Sequence, residues 1–238
     1  MSLILIGTGI AFDLTQSAME ALKQCDKIYW EGYTGLIPKE RIAELGRELG
    51  KEPIQLKREQ VESRFLVNEA KTAPIALLTS GDPLTATTHI ALILEAEKAD
   101  IATRIIPNSS IYTAAPGKAG LQIYRFGKTV SLVNLRPGYA PQSAFEGIRQ
   151  NLKNNLHTLI LLDTEPQPME AKTALGMLER VRVDKVVVLS RLGAADERIR
   201  YGTISLLKEQ ELGEAPFCII APARLHPLEE EALERWQP

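Results

Sequence analysis

Short apolar runs alternate along this chain with segments whose apolar residues recur every three or four positions. The runs at residues 3–6, 27–31, 73–79, 101–106, 129–133, 158–162, 186–189, 199–202 and 217–220 have the length and content of buried strands. Between them the spacing predicts helices over 15–24, 38–49, 90–99, 110–118, 143–153 and 169–181, with an acidic surface helix over 227–236. In the first helix Ala18, Leu22 and Cys25 share one face, and Thr15 reads as its N-cap. Gly50 reads as the stop of the second. Strands alternating with helices predict an α/β fold. From residue 121 the texture becomes more aromatic and basic, and residues 136–141 read as a turn-rich connector. A boundary close to 112–120 is therefore expected, with one α/β domain over 1–112, a second over 113–238, and a cleft between them.

Composition narrows the classes. A length of 238 residues is ample for a real core, and 28 Lys and Arg against 30 Asp and Glu leave a formal charge of −2. That balance argues against affinity built on neutralising nucleic-acid phosphates, though it leaves room for a local basic patch. Cys25 and Cys218, far apart in apolar surroundings, read as buried thiols of a reducing compartment. The three histidines have no second ligand at metal spacing, so no metal site is expected. No apolar run approaches the ~20 residues of a membrane span, and no signal core stands at the start, so a cytoplasmic protein is expected.

Three stretches carry candidate chemistry. The first and most informative is Gly81-Asp82-Pro83-Leu84-Thr85-Ala86-Thr87-Thr88-His89, between a strand and a helix. Ligands of open α/β sheets sit beyond the carboxyl ends of the strands. Gly81 lets a ligand approach the backbone, and Pro83 holds Asp82 extended. The alternative is a plain turn whose Asp caps the next helix. The second is Gly7-Thr8-Gly9, which with Glu31 at the end of the second strand invites a dinucleotide reading. Phe12 stands where the third glycine of that motif belongs and counts against it; a merely structural turn also competes. The third is Asn108-Ser109-Ser110-Ile111-Tyr112, suited either to a ligand's polar end or to capping a helix. His157 reads as a packed or capping residue, Asp163 ends a buried strand, and no Ser/His/Asp or Cys/His arrangement emerges.

Together these segments resemble the diphthine synthase family of the tetrapyrrole-methylase-like superfamily of S-adenosylmethionine-dependent methyltransferases. The resemblance rests on Ile6-Gly7-Thr8-Gly9 with Asp13-Leu14-Thr15, the Gly81–His89 stretch, Ser110-Ile111 and Gly120-Leu121-Gln122-Ile123-Tyr124-Arg125-Phe126-Gly127-Lys128. It extends through Leu156-His157-Thr158 to Leu162-Asp163 and Leu225-His226-Pro227-Leu228-Glu229. The Gly-Asp-Pro turn belongs to the whole superfamily, whereas Ala-Thr-Thr-His and Tyr-Arg-Phe-Gly are narrower. The resemblance implies two α/β domains flanking a cofactor cleft, unlike the usual Rossmann methyltransferase, and a homodimer. It implies S-adenosylmethionine as cofactor and translation elongation factor 2 as protein substrate. The amine of that factor's 3-amino-3-carboxypropyl-histidine would be methylated to diphthine.

Matched residue by residue, the resemblance puts cofactor contacts on Ile10, Asp82, Thr85, Ser110, Ile111, Leu162, Leu192 and Phe217. Leu192 stands where the family commonly has a small residue and Phe217 where it has a His, which leaves backbone contacts available. No catalytic acid or base is assigned: Asp82 and Asp163 could help electrostatically, and Arg125 or Lys128 would either meet the substrate's carboxylate or be surface charges. The rival readings are a superfamily methyltransferase acting on a tetrapyrrole or on RNA, and a non-catalytic module that binds S-adenosylmethionine.

Overall fold

A computed structural model of the chain describes residues 1–135 and 141–238. Most of the connector expected at 136–141 lies outside the described residues. The chain divides into two compact units, Met1–Ile111 and Tyr112–Pro238.

Unit 1 runs β1 (Ser2–Gly7), α1 (Gln16–Gln24), β2 (Lys27–Glu31), α2 (Lys39–Leu49), β3 (Ile54–Leu56), α3 (Arg58–Val61), α4 (Phe65–Ala70), β4 (Pro74–Thr79), α5 (Ile90–Glu97) and β5 (Ala102–Ile106). Its strands form one sheet in the order β3-β2-β4-β1-β5, with every pairing parallel. Parallel strands need both faces covered, and the alternation of side chains divides them accordingly. Leu3, Leu5, Ile75 and Leu77 pack with Leu66, Val67, Leu92 and Ile93 of α4 and α5. Ile4, Ile6, Ala76 and Leu78 pack on the other face with Ala18, Leu22, Ile42 and Leu45 of α1 and α2. Thr15 caps α1 by accepting from Ala18 N, and Gly50 closes α2 in the left-handed region at φ 63°.

Unit 2 takes up α6 (Ile111–Ala119), which starts at the unit boundary, then β6 (Val130–Leu132), α7 (Ser143–Lys153), β7 (Thr158–Leu162), α8 (Ala171–Leu178), β8 (Lys185–Ser190), β9 (Arg198–Thr203), α9 (Ile204–Lys208), β10 (Phe217–Ala221) and α10 (Pro227–Glu234). Its sheet has the order β6-β7-β10-β8-β9. β10 runs antiparallel to both neighbours, β8 pairs antiparallel with β9, and only β6 and β7 are parallel. Val130, Ile160, Val188 and Ile219 form one face of the core with Phe145, Ile148, Leu175 and Leu207 from the helices. Cys25 and Cys218 are free and buried.

Candidate functional site

The carboxyl ends of β1, β4 and β5 lie side by side in unit 1, and the loops that leave them are bonded into one assembly. Gly9 N donates to Gly81 O at 3.0 Å and Gly81 N to Gly9 O at 3.2 Å. Both glycines hold this bridge in the left-handed region, at φ 71° and 68°, where side chains are disfavoured. Gly7 is needed for a different reason. A Cβ there would stand 2.5 Å from Gly81 O and 3.0 Å from Pro83 Cδ, so the Gly-Asp-Pro turn rests directly on the bare backbone of β1.

Asn108 binds the third loop to the other two. Its side-chain amide donates to Gly7 O at 3.0 Å and Asp13 O at 2.8 Å, and its Oδ1 accepts from Ser109 N at 2.8 Å. Its own N–H donates to Asp82 Oδ2 at 3.3 Å. Asp82 Oδ1 meanwhile accepts from Leu84 N and from Thr85 Oγ1, each at 3.0 Å. The carboxylate thus organises its own turn and ties it to the β5 loop. Ser109 Oγ accepts from Ile10 N at 3.2 Å, and Ser110 is buried beside it. Ile10, Asp82, Thr85, Ser110 and Ile111 are therefore brought to one end of the unit 1 sheet.

Underneath the turn, His89 is 3 % exposed. Its Nδ1 lies 3.2 Å from Pro83 O, which can only accept, so Nδ1 carries the proton and donates. Nε2 is 3.4 Å from Tyr33 Oη, and burial holds the ring's pKa below the ordinary histidine value. The sequence marks Asn108 only as one of a polar run and His89 as the end of a motif. An Asn directly after the Pro that ends a strand is the signal that points to a loop organiser.

The dinucleotide reading of Gly7-Thr8-Gly9 does not hold. Glu31 is fully buried, and its Oε2 accepts from Tyr33 N and Thr34 N, each at 3.0 Å, while Thr34 Oγ1 donates to Oε1. Burial pushes its carboxyl upward against those bonds, and none of it faces a ribose site. Phe12, in the place of the third glycine, is 7 % exposed at φ 58° and packs in the core.

Leu162, Leu192 and Phe217 belong to unit 2 and gather at one end of its sheet. Leu162 ends β7, Phe217 opens β10 opposite Ser190, and Leu192 follows β8 where Arg191 N donates to Pro216 O at 2.9 Å. Phe217 is 7 % exposed with its ring in the core. Asp163 accepts from Asn134 N at 3.1 Å and Glu165 N at 3.3 Å.

Of the two expectations for Arg125, that of a free surface charge does not hold, because the side chain is half-buried and paired. Its guanidinium pairs with Glu229 Oε2 and donates to Arg224 O at 2.5 Å. Lys128 donates its backbone N–H to Asn151 Oδ1 at 3.1 Å. His157, fully buried, accepts from Ala223 N at 2.9 Å through Nδ1, which places its proton on Nε2, 3.2 Å from Glu229 Oε1. Burial lowers the His157 pKa and the neighbouring carboxylate only partly opposes it, so the ring is neutral. Burial would raise Glu229, but N–H donors from His226 and Gln122 and the His157 ring outweigh it and hold the carboxyl low. His157 is a packed, wall-holding residue.

Small residues, hydroxyls and backbone groups line the unit 1 loops, and a Cβ on Gly81 would project to 3.7 Å from Ser109 O and 3.8 Å from Ser110 Cα. The two loops thus approach to within van der Waals contact of a side chain at Gly81, and the groups they offer a ligand are mainly backbone polar groups and hydroxyls. A family model of tetrapyrrole (corrin/porphyrin) methylases matches residues 2–208, and the chain belongs to that family of S-adenosylmethionine-dependent methyltransferases. It is 39 % identical to the diphthine synthase of Methanococcus aeolicus, with 98 % of this chain and 96 % of that one covered. It is 38 % identical to the diphthine synthase of Methanocaldococcus jannaschii, with 98 % and 97 % covered. A crystal structure of diphthine synthase superposes with a TM-score of 0.91 at 31 % identity, covering 100 % of this chain and 97 % of that one. A putative diphthine synthase from Entamoeba histolytica gives a TM-score of 0.87 at 32 % identity, with 100 % and 98 % covered. Within the family, the branch is that of the diphthine synthases.

Proposed function

We propose that this chain methylates the amine of the 3-amino-3-carboxypropyl-histidine of translation elongation factor 2, with S-adenosylmethionine as methyl donor, to give diphthine. The observation that carries this reading is nearly full-length similarity to diphthine synthases, combined with the bonded Gly-Thr-Gly and Gly-Asp-Pro loops of unit 1. When bound, the cofactor supplies a methyl group already activated on a sulfonium, so the acceptor amine has only to be neutral, aligned and desolvated. The protein's task is then positioning, which can contribute roughly 7–11 kcal/mol.

In this reading Asp82 and Asn108 act by holding the loops in place. Their side-chain oxygens and amide are already engaged with the backbone and Thr85, and this leaves them no proton-transfer role. Ile10, Thr85, Ser110 and Ile111 present backbone groups and hydroxyls to the cofactor, and Leu162, Leu192 and Phe217 contribute from unit 2. No residue is given a proton to move, consistent with a neutral amine acceptor, a sulfonium donor and a neutral thioether as leaving group. The enzyme works in the cytoplasm, and by the same resemblance as a homodimer.

The test is the intact mass of elongation factor 2 bearing the unmethylated side chain, incubated with the protein and S-adenosylmethionine. The mass is expected to rise by whole methyl units. An unchanged factor, with label transferred instead to a tetrapyrrole or to RNA, would overturn the reading.

A further inference from the structure

One concave feature of unit 2 takes no part in this chemistry. It lies at the end of the sheet where β8 begins and β10 finishes, opposite the end that carries Leu162, Leu192 and Phe217. There a recess of about 400 Å³ is lined by Asn155, Arg182, Asp184, Lys185, Tyr201 and Arg224, among others. Its charged lining is three cations and one carboxylate, a balance of +2 in a chain whose total is −2. Among the described residues, none of the three cations makes an ion pair.

The wall that carries Arg224 is rigid. Ala223 N donates to the buried His157 ring at 2.9 Å, Arg224 N to Asn155 Oδ1 at 3.2 Å, and Arg224 O accepts from Arg125 at 2.5 Å. The half-buried Arg125 with the buried Glu229 and His157, a group to which the proposed methyl transfer gives no role, thus holds one side of the recess in place. Lys185 is exposed, and its Nζ stands 5.7 Å from the centre of the Tyr201 ring. Tyr201 is 7 % exposed, and its hydroxyl, which is not among the buried unpartnered atoms, makes no hydrogen bond among the described residues.

We infer that this recess binds a small phosphate-bearing molecule. Two guanidinium forks, an ammonium and a phenol donor match the oxygens of a phosphoryl group, for which arginine geometry is suited. A phosphate monoester carries about −1.5 to −2 charges at neutral pH, which complements the excess of two positive charges. The volume lies in the range of small-molecule sites, roughly 300–1,000 Å³. Asp184 selects against ligands that place a second anionic group at its side of the recess. The inference is independent of the methyl acceptor.

Calorimetry on the full chain at low ionic strength tests it, with inorganic pyrophosphate, ADP and succinate as probes. Pyrophosphate or ADP is expected to bind once per chain, with affinity falling as salt is added. Arg182→Ser and Arg224→Ser should each weaken it about tenfold or more, as loss of a charge-assisted bond does. Lys185→Gln should weaken it in the same direction, and Lys98→Ser, outside the recess, should not. The melting temperature of each variant, recorded in parallel, separates lost binding from lost fold. Equal binding of both phosphates identifies a site for the free ion, whereas binding of ADP alone identifies a phosphate ester. Succinate binding as tightly as pyrophosphate, no phosphate binding at millimolar concentration, or binding that survives the arginine changes would each overturn the inference.

Discussion

Replacing Asp82 with alanine removes three hydrogen bonds at once, and their surroundings decide what the loss costs. The bond from Leu84 N, at 3.0 Å, is exposed, so water takes the place of the carboxylate there. Those from Thr85 Oγ1 at 3.0 Å and Asn108 N at 3.3 Å are partly buried. Bonds to a charged acceptor contribute about 1.5–3 kcal/mol each, and partial exposure reduces the sum for these two to about 2–4 kcal/mol. The loss falls on the order of the Gly81–Thr85 turn, because the strand ladder of β4 with β1 and β2 stays intact. A binding loop that must be reordered on ligand binding weakens affinity by the same free energy, about thirty- to several-hundredfold. Calorimetry with S-adenosylhomocysteine, the demethylated product, measures this directly, with thermal melting as the control for fold. Asp82→Asn separates the two contributions, since its carboxamide still accepts from Thr85 but turns a donor or a weaker acceptor toward Asn108 N. Unchanged product affinity in a folded Asp82→Ala protein would refute the reasoning.

Other changes test the same physical picture. Gly7→Ala sets a Cβ 2.5 Å from Gly81 O, and the displaced turn should cost about 1–3 kcal/mol, seen as a lowered Tm together with weaker product binding. His157→Ala leaves Ala223 N without its acceptor and opens a cavity beside Glu229, so it should destabilise by about 2–4 kcal/mol in chemical denaturation while methyl transfer per folded molecule persists; a folded but inactive variant would contradict that placement. The same residue predicts a pH dependence. His89 and His157 both have folded pKa values lowered by burial, so below about pH 6.5 the unfolded chain takes up protons that the folded one refuses. Their contribution is present in full above that pH and fades as pH falls toward the lowered values. His157→Gln should flatten the decline in stability measured from pH 7 to 5, and the difference in slope isolates it from Glu31, whose raised carboxyl has the opposite sign.

Local order was legible in the sequence because it depends on neighbours a few positions apart. The apolar runs of β1, β2, β4, β7 and β10, the spacing of α1 and α2, and the caps Thr15 and Gly50 all stand where the pattern puts them. The Gly-Asp-Pro turn announces itself through backbone constraints that a Gly and a Pro carry into any context. Short elements left too little pattern to read: β3 has three residues with Ile54 and Gln55 exposed, and α3, α4 and α9 span only four to six. Pairings across long separations were decided by the tertiary structure alone. Nothing near Arg125 in the chain foretells its bond to Glu229, 104 positions away, and that pairing ties down a charge the pattern left either meeting a substrate or standing on the surface. Asn108 reaches Gly7 across 101 residues, and β10 inserts antiparallel between β7 and β8, for the same reason. Periodicity specifies which face of an element is buried. Which partner meets that face is settled only when the whole sheet closes its hydrogen bonds and its core at once.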